Sequence, residues 1–126
     1  KIADHINVIL YFEKGIVAII NSDWISPYKE HRFSVLGSDG SLIFDDVKDW
    51  SEKLIYNPSL INDNKKITYK PEVAIRIKKY EPLKQEIEAF LKCVENKETP
   101  FTNIEEALNV QIVLNMIEEK LKEDYF

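Results

Sequence analysis

The stretch HINVILYFEKGIVAIINSDW, residues 5–24, decides the fold class, because it has the form of a β-hairpin built largely from apolar residues. Two runs typical of strands flank a Glu-Lys-Gly turn, in which Gly15 suits a position with positive φ. Successive side chains of a strand point to opposite faces. Both faces of the second strand are apolar, with Val17 and Ile19 on one and Ile16, Ala18 and Ile20 on the other.

The rest of the chain divides into a strand-rich first half and a helical second half. Further strands are predicted at 31–37, 41–45, 53–57 and 72–78, with a tight turn at 37–41 and a loop at 58–66. Pro82 suits the first position of a helix, and Thr102 with Glu105 has the spacing of a capping box that opens a second helix. The sequence therefore predicts one α+β domain over residues 1–126. Its predominantly antiparallel open sheet has about six strands, with two C-terminal helices packed on one face.

The last helix is too apolar for a surface helix that exposes one face to solvent. Beyond a regular stripe it carries apolar residues on other sides, namely Val110, Ile112, Val113 and Met116. Because two helices cover only one face of a sheet, we expect the open face to be covered by a second copy of the chain, by a further domain, or by both. The alternative is that residues 45–71 fold over the open face.

Composition sets the class of protein and its setting. Of 126 residues, 44% are hydrophobic and 31% charged, which is typical of a globular domain, and the net charge of -5 argues against a nucleic-acid partner. The longest apolar run, Ile16 to Ile20, is far shorter than the roughly 20 residues of a membrane helix. The single cysteine, Cys93, falls in an apolar helical stripe and favours a reducing, cytoplasmic setting. Because the chain begins at Lys1, we expect it to be a piece of a longer protein.

Motifs that carry chemistry are missing from the sequence. It contains no G-x-G-x-x-G, no G-x-x-x-x-G-K-[ST], no H-E-x-x-H and no nucleophile elbow, and it has only three glycines. Two histidines 26 positions apart do not have the spacing of a metal site. Asp4 and His5 are neighbours in a strand, so they point to opposite faces and cannot readily share one site. We therefore predict no catalytic residue, no cofactor-binding residue and no metal ligand within this chain.

The best cluster for ligand binding follows the hairpin. Trp24 ends the second strand, and in an extended segment Lys29 and His31 share a face while Arg32 lies on the other. An indole platform with polar tips beside it suits a polyol or a sugar phosphate. These residues alone leave two interpretations open, a substrate-side cluster and the solvated rim of a sheet.

Several pieces in order resemble one known family. The strand ending FEKG, the strand ending SDW, the segment SPYK, the run VLGSDGSLIFD and the stretch 80–117 resemble the C-terminal domain of the Gfo/Idh/MocA family. In that last stretch the pattern is E-P-L before a helix, F-x-x-x-[IV] within it, and E-A-L opening the closing helix. The resemblance covers the chain from about Asp4 to Ile117.

This resemblance implies a function for the intact protein. Members are NAD(P)-dependent oxidoreductases that act on sugars, polyols and nucleotide sugars. Their cofactor, NAD or NADP, is bound by an N-terminal Rossmann domain whose motifs are not in this chain, so the isolated chain is expected to be inactive and to bind no cofactor. Its expected contributions are the substrate-binding residues Trp24, Lys29 and His31 and a sheet-mediated homo-oligomer interface.

One position departs from the family pattern. Many members have P-x-K-x-R after the tryptophan, which Pro27 and Lys29 match, whereas His31 stands in place of the arginine. A substrate charge therefore cannot be transferred from that position. The alternative function is a stand-alone, non-enzymatic α+β module for dimerisation or interaction.

Overall fold

A computed structural model describes residues 3–61 and 67–125 of the chain. These residues form antiparallel strands followed by two C-terminal helices, which confirms the α+β class. The chain divides into two compact units, Lys1–Ile25 with Glu81–Phe126, and Ser26–Tyr80. The elements are β1 (His5–Tyr11), β2 (Val17–Asp23), β3 (Arg32–Gly37), β4 (Gly40–Asp45), β5 (Leu54–Ile61), β6 (Ile67–Tyr69), β7 (Val73–Ala74), α1 (Pro82–Asn96) and α2 (Ile104–Tyr125).

The predicted hairpin is the strand element of the first unit. β1 and β2 pair antiparallel, from Tyr11 opposite Val17 beside the turn to His5 opposite Asp23 at the open end. Gly15 has a φ of 76°, so the prediction of a positive-φ glycine in the turn is confirmed. One face of β1 is half-buried through Ile6, Val8 and Leu10, whereas the residues that alternate with them are exposed.

Helix α1 begins at Pro82, as predicted, and its C-cap residue, Lys97, has left-handed backbone angles. Helix α2 begins at Ile104, and the capping box predicted on Thr102 is wrong. Asn103 is the cap, because its Oδ1 accepts hydrogen bonds from the backbone N–H groups of Glu105 and Glu106, at 2.9 and 3.0 Å. The helix starts one residue later than the sequence pattern indicated, which moves the cap from Thr102 to the next side chain able to accept those bonds.

Apolar side chains of both helices remain exposed. Phe90 of α1 is 62% exposed and Met116 of α2 is 63% exposed. Within the ranges that the structure describes, no apolar residue is fully buried. The packing of both helices on a sheet face therefore stays a prediction, and a large apolar surface is available for contacts.

The second unit is a five-stranded antiparallel sheet, and the hairpin of the first unit is two-stranded. The described strands are antiparallel and open, as predicted. The path of the five-stranded sheet is β3-β4-β5-β6, and β7 also pairs with β5. The segment between β2 and β3 contains Pro27 and has no strand, and the hairpin pairing ends at Asp23. Because proline has no backbone N–H to donate to a ladder, this segment interrupts the run of strands along the chain.

Strand β5 runs further than the sequence predicted. The pattern placed the end of this strand at Asn57 and a loop at 58–66, but pairing continues through Pro58 to Ile61, opposite β6. Pro58 is tolerated because its carbonyl accepts a hydrogen bond from Lys70 and the following N–H, of Ser59, donates to Asp39, both at 3.1 Å. Residues 62–66 of the predicted loop lie outside the described residues. The described part of 45–71 thus contributes strands β5 and β6 to this sheet, and its fold over the open face stays an untested alternative.

The strand predicted at 72–78 is confined to Val73 and Ala74, and pairing ends where the Ile75 N–H donates to Leu54 at 2.8 Å. The register gives this sheet one apolar face and one mixed face. The apolar face carries Phe33, Val35, Leu42, Phe44, Tyr56 and Val73. The mixed face carries Arg32, Ile43, Asp45, Ile55 and Asn57.

Candidate functional site

His31 lies immediately before β3, opposite Asp46, which follows β4. The backbone N–H of Asp46 donates to the His31 carbonyl at 2.9 Å, so the β3–β4 ladder extends one step beyond the strands. The side chains of the two residues are also close, with 3.4 Å between His31 Nδ1 and Asp46 Oδ2. The imidazole is 73% exposed, so most of its surface is accessible to a ligand.

Asp46 is held from its other side by Lys53. The Lys53 ammonium group donates to Asp46 Oδ1 at 2.5 Å and to the Asp46 main-chain carbonyl at 2.6 Å. Lys53 is 8% exposed and is the one polar or charged residue that is buried in the described ranges. Burial of an ammonium group is tolerated only with close partners, and the two oxygens of Asp46 supply them.

Aromatic rings complete the surroundings of Lys53. Its Nζ lies 5.1 Å from the ring centroid of Trp50 and 5.9 Å from that of Phe44. Tyr80 packs against Trp50 edge to face, with 5.6 Å between the ring centroids. The negative faces of the rings favour the ammonium charge, and together with Asp46 they fix its position.

The charge state of Asp46 follows from these contacts. The hydrogen bond from Lys53, with a smaller one from His31, holds the pKa of the Asp46 carboxyl below its ordinary value of 3.8, although burial works in the opposite direction. Asp46 is therefore ionised at neutral pH and acts only as a hydrogen-bond acceptor.

The other two residues of the predicted cluster are exposed, but they belong to different units. Lys29 lies in the irregular segment before β3, in the same unit as His31. Trp24 follows β2 in the first unit, where its backbone N–H donates to Asp4 at 2.9 Å and its side chain is 84% exposed. The structure therefore brings His31 together with Asp46 and Lys53, which the sequence had not singled out.

Arg32, the neighbour of His31, points to a separate partner, as the alternation of the strand predicts. Its Nη2 donates to Asp45 Oδ2 at 3.0 Å. A shallow depression of about 210 Å³ lies beside this pair and is lined also by Lys48, Asn57 and Glu72. Charges of both signs line it, so it does not favour an anion or a cation.

A second polar network lies on the exposed face of the hairpin. Asn21 Nδ2 donates to Asn7 Oδ1 at 2.6 Å, and Asn7 Nδ2 lies 2.8 Å from His5 Nε2. His5 also faces its register partner Asp23, with 3.9 Å between Nδ1 and Oδ2. His5 is thus paired across the strands and not with its chain neighbour Asp4.

Neither a dinucleotide nor a metal ion has a site built from the described residues. Gly15, Gly37 and Gly40 lie at the hairpin turns or strand ends, and helices α1 and α2 begin at Pro82 and Ile104. A glycine-rich turn that opens a helix, as a dinucleotide phosphate requires, is therefore not formed within ranges 3–61 and 67–125. In the ranges 3–61 and 67–125, no three His, Cys, Asp or Glu side chains lie close enough together to hold a metal ion.

Asp46, but not Lys53, could have been found from the register of the β3–β4 hairpin. Counting outward from Gly37 opposite Gly40 reaches Arg32 opposite Asp45, and the next step places His31 opposite Asp46. Lys53 carried no such signal, because a lysine two residues after a polar turn is usually solvated.

Comparison with protein families fits this architecture. A family model described as "Oxidoreductase family, C-terminal alpha/beta domain" matches residues 2–125. The fold and the match define the class, a C-terminal α/β domain of an oxidoreductase. The chain belongs to the Gfo/Idh/MocA family. Comparison with curated proteins and with solved structures gave no match. In the part of the chain that is described, no helix has the length and apolar character needed to span a membrane.

Proposed function

We propose that this chain is the substrate-side and oligomerisation domain of an NAD(P)-dependent dehydrogenase of sugars, polyols or nucleotide sugars. The family match over residues 2–125 is the observation that carries the proposal. Within the described residues the exposed donors and acceptors before β3 agree with it. Both Lys29 and His31 are exposed and accessible to a ligand, and Asp46 contacts Nδ1 of His31.

The substrate residues have complementary chemistry. The Lys29 ammonium group can only donate hydrogen bonds, while an imidazole in its neutral form both donates and accepts. A polyol needs partners of both kinds, because each hydroxyl is a donor and an acceptor. Trp24 supplies an exposed apolar platform of the kind on which sugar rings stack.

The oligomer interface is proposed on the exposed face of the β1–β2 hairpin. Near the turn this face carries four exposed apolar side chains, those of Ile9, Tyr11, Val17 and Ile19. The opposite face is already half-buried through Ile6, Val8 and Leu10. A second copy of the chain would cover the exposed face and remove these side chains from water.

The cofactor and the compartment are also part of the proposal. Because the described residues form no glycine-rich turn that opens a helix, NAD or NADP would be bound by a separate Rossmann domain of the intact enzyme. The single cysteine, Cys93, favours a cytoplasmic setting.

The test uses the protein that carries this chain together with its upstream region. Sugars, polyols and nucleotide sugars are assayed by the absorbance of reduced cofactor, with NAD and with NADP. Lys29→Met is expected to raise KM about tenfold or more, since a charge-assisted hydrogen bond is lost. Lys78→Met, at an exposed lysine of the same unit, is the matched control. No substrate-dependent reduction of either cofactor, or equal KM values for Lys29→Met and the wild type, would contradict the proposal.

A further inference from the structure

His31, Asp46 and Lys53 form a continuous hydrogen-bonded series at one end of the five-stranded sheet. Lys53 Nζ lies 2.5 Å from Asp46 Oδ1, and Asp46 Oδ2 lies 3.4 Å from His31 Nδ1. A carboxylate only accepts hydrogen bonds, and an ammonium group only donates them. One oxygen of Asp46 therefore faces the Lys53 donor, and the contact of the other oxygen with Nδ1 is a hydrogen bond only when Nδ1 of His31 carries hydrogen.

We propose that Lys53 and Asp46 are positioning residues that hold the neutral His31 imidazole in its Nδ1–H tautomer and so present Nε2 as an acceptor for a substrate hydroxyl. The first half of this statement concerns the chain alone. The second half rests on the proposed function, because it requires His31 to lie on the substrate side. An accepting Nε2 next to the donating Lys29 gives the cluster both kinds of partner that a polyol needs.

Burial decreases along the series from Lys53 to His31. The side chain of Lys53 is 10% exposed, that of Asp46 42% and that of His31 73%. Lys53 is fixed by the Asp46 main-chain carbonyl and by the rings of Trp50 and Phe44, so it is the anchored end. Because Lys53 occupies Oδ1, only Oδ2 is left for the imidazole. An outer partner that orients a functional histidine in this way sets its tautomer.

Asp46→Asn is the sharpest test, because it keeps the shape of the side chain while it removes the charge and changes the hydrogen-bonding pattern. Lys53 cannot accept, so the amide oxygen of the new side chain must face it and the NH₂ group must face His31. Nδ1 then becomes the acceptor, and the tautomer changes to Nε2–H.

The tautomer is read from the ¹⁵N shifts of both ring nitrogens, in the protein that carries this chain, with ring-¹⁵N histidine. Spectra are recorded at pH about 9, where imidazoles are neutral. The His31 signals are identified by their loss in His31→Gln. We expect the ratio of Nδ1–H to Nε2–H to fall about two- to fivefold in Asp46→Asn, the range for an exposed charged pair.

Two further variants test whether the tautomer change arises from the contacts among Lys53, Asp46 and His31 and not from the loss of a charge. Asp45→Asn is the same chemical change one residue earlier, where the carboxylate contacts Arg32, and it should leave the His31 tautomer unchanged. Adding Lys53→Met to Asp46→Asn frees the amide to rotate and should restore part of the Nδ1–H population. An unchanged ratio in Asp46→Asn overturns the proposal, and so does a shift of equal size in Asp45→Asn.

Kinetics on the same protein separate this inference from the proposed function. Asp46→Asn and His31→Gln are each expected to lower kcat/KM for the substrate, and the tautomer is measured in Asp46→Asn. If the tautomer changes while kcat/KM stays at the wild-type value in both variants, the positioning by Lys53 and Asp46 stands and the substrate role of His31 is overturned. Failure of Lys29→Met alone would affect only the proposed function.

Discussion

The ammonium group of Lys53 donates to both the side chain and the main chain of Asp46, at 2.5 and 2.6 Å. This pair closes the turn between β4 and β5, because Asp46 directly follows the first strand and Lys53 directly precedes the second. The turn is therefore fixed by a charged hydrogen-bonded pair, while most apolar side chains around it remain partly exposed. A turn held in this way should respond to pH.

Acid is expected to weaken this turn. The pKa of Asp46 is lowered in the folded chain from an ordinary value of 3.8, first by the hydrogen bond from Lys53 and then by that from His31. A depressed carboxyl pKa contributes stability that is fully present above the unfolded-state value and is lost as the pH falls through the folded-state value. We expect the stability difference between the wild type and Asp46→Asn to be constant above pH about 5 and to shrink below pH about 4.

Urea unfolding at pH values from about 7 to 2.5 measures this difference. Asp49→Asn, in the same turn, corrects for the loss of one negative charge. A difference that stays constant down to the lowest pH would show that Asp46 does not couple protonation to folding.

Gly40 is expected to tolerate no side chain. Its φ is 145°, and a Cβ would lie 2.3 Å from the backbone oxygen of Asn57 and 3.0 Å from Cα of Pro58. Both contacts are to the backbone of β5, which cannot move aside without breaking its pairing with β4. We expect Gly40→Ala to lower the free energy of unfolding by about 2–4 kcal/mol.

Gly37→Ala is the matched control on the other side of the same turn. A Cβ there meets only the Gly40 carbonyl oxygen, at 3.7 Å, which is an ordinary contact. We expect a change of less than about 1 kcal/mol. Chemical denaturation compares the two variants, and equal losses of stability would contradict the close approach of β5 to Gly40.

The start of α2 gives a test of a single side chain. Asn103→Ala removes the acceptor for two backbone N–H groups and should destabilise the chain by about 0.5–2 kcal/mol. Thr102→Ala should change stability by no more than about 0.5 kcal/mol, because Thr102 precedes the cap. Unfolding followed by circular dichroism at 222 nm, roughly the helix minimum, distinguishes the two. A larger loss of stability for Thr102→Ala than for Asn103→Ala would show that Thr102 is the cap.

The hairpins and helices could be predicted from the sequence because their signals are local. Gly15 and the alternating strands define β1–β2, and Pro82 defines the start of α1, without any distant contact. The cap of α2 was misplaced by one residue because Thr102 and Asn103 are both good caps, and only the hydrogen-bond geometry selects between them.

The parts that could not be predicted depend on pairing between distant residues. Pro58 normally ends a strand, yet β5 continues because Lys70 and Asp39 supply backbone partners from other segments. In the sequence Lys53 resembles any solvated lysine, and only folding brings Asp46, Phe44 and Trp50 around it. Lys53 therefore could not be predicted from the sequence, whereas His31 itself was selected there as a candidate.

The last prediction concerns the exposed face of the β1–β2 hairpin. Ile19 is 75% exposed and Tyr11 is 79% exposed, on the same face of β1–β2, while the β1 residues of the opposite face are half-buried. If a second copy covers this face, Ile19→Lys places an unpaired charge in a dry contact. We expect the dissociation constant of the oligomer to rise roughly 10- to 1,000-fold, the range for loss of a central interface residue.

Sedimentation of the protein that carries this chain, over a range of concentrations, measures this change. Thr102→Lys adds the same charge at an exposed position before α2 and should leave the oligomer intact. A wild-type protein that stays monomeric at every concentration would refute association through this face. An oligomer equally stable in Ile19→Lys would place the interface elsewhere. Weakening by Ile19→Lys alone would assign the exposed hairpin face to a second copy, because only a covered isoleucine makes a charge at position 19 unfavourable.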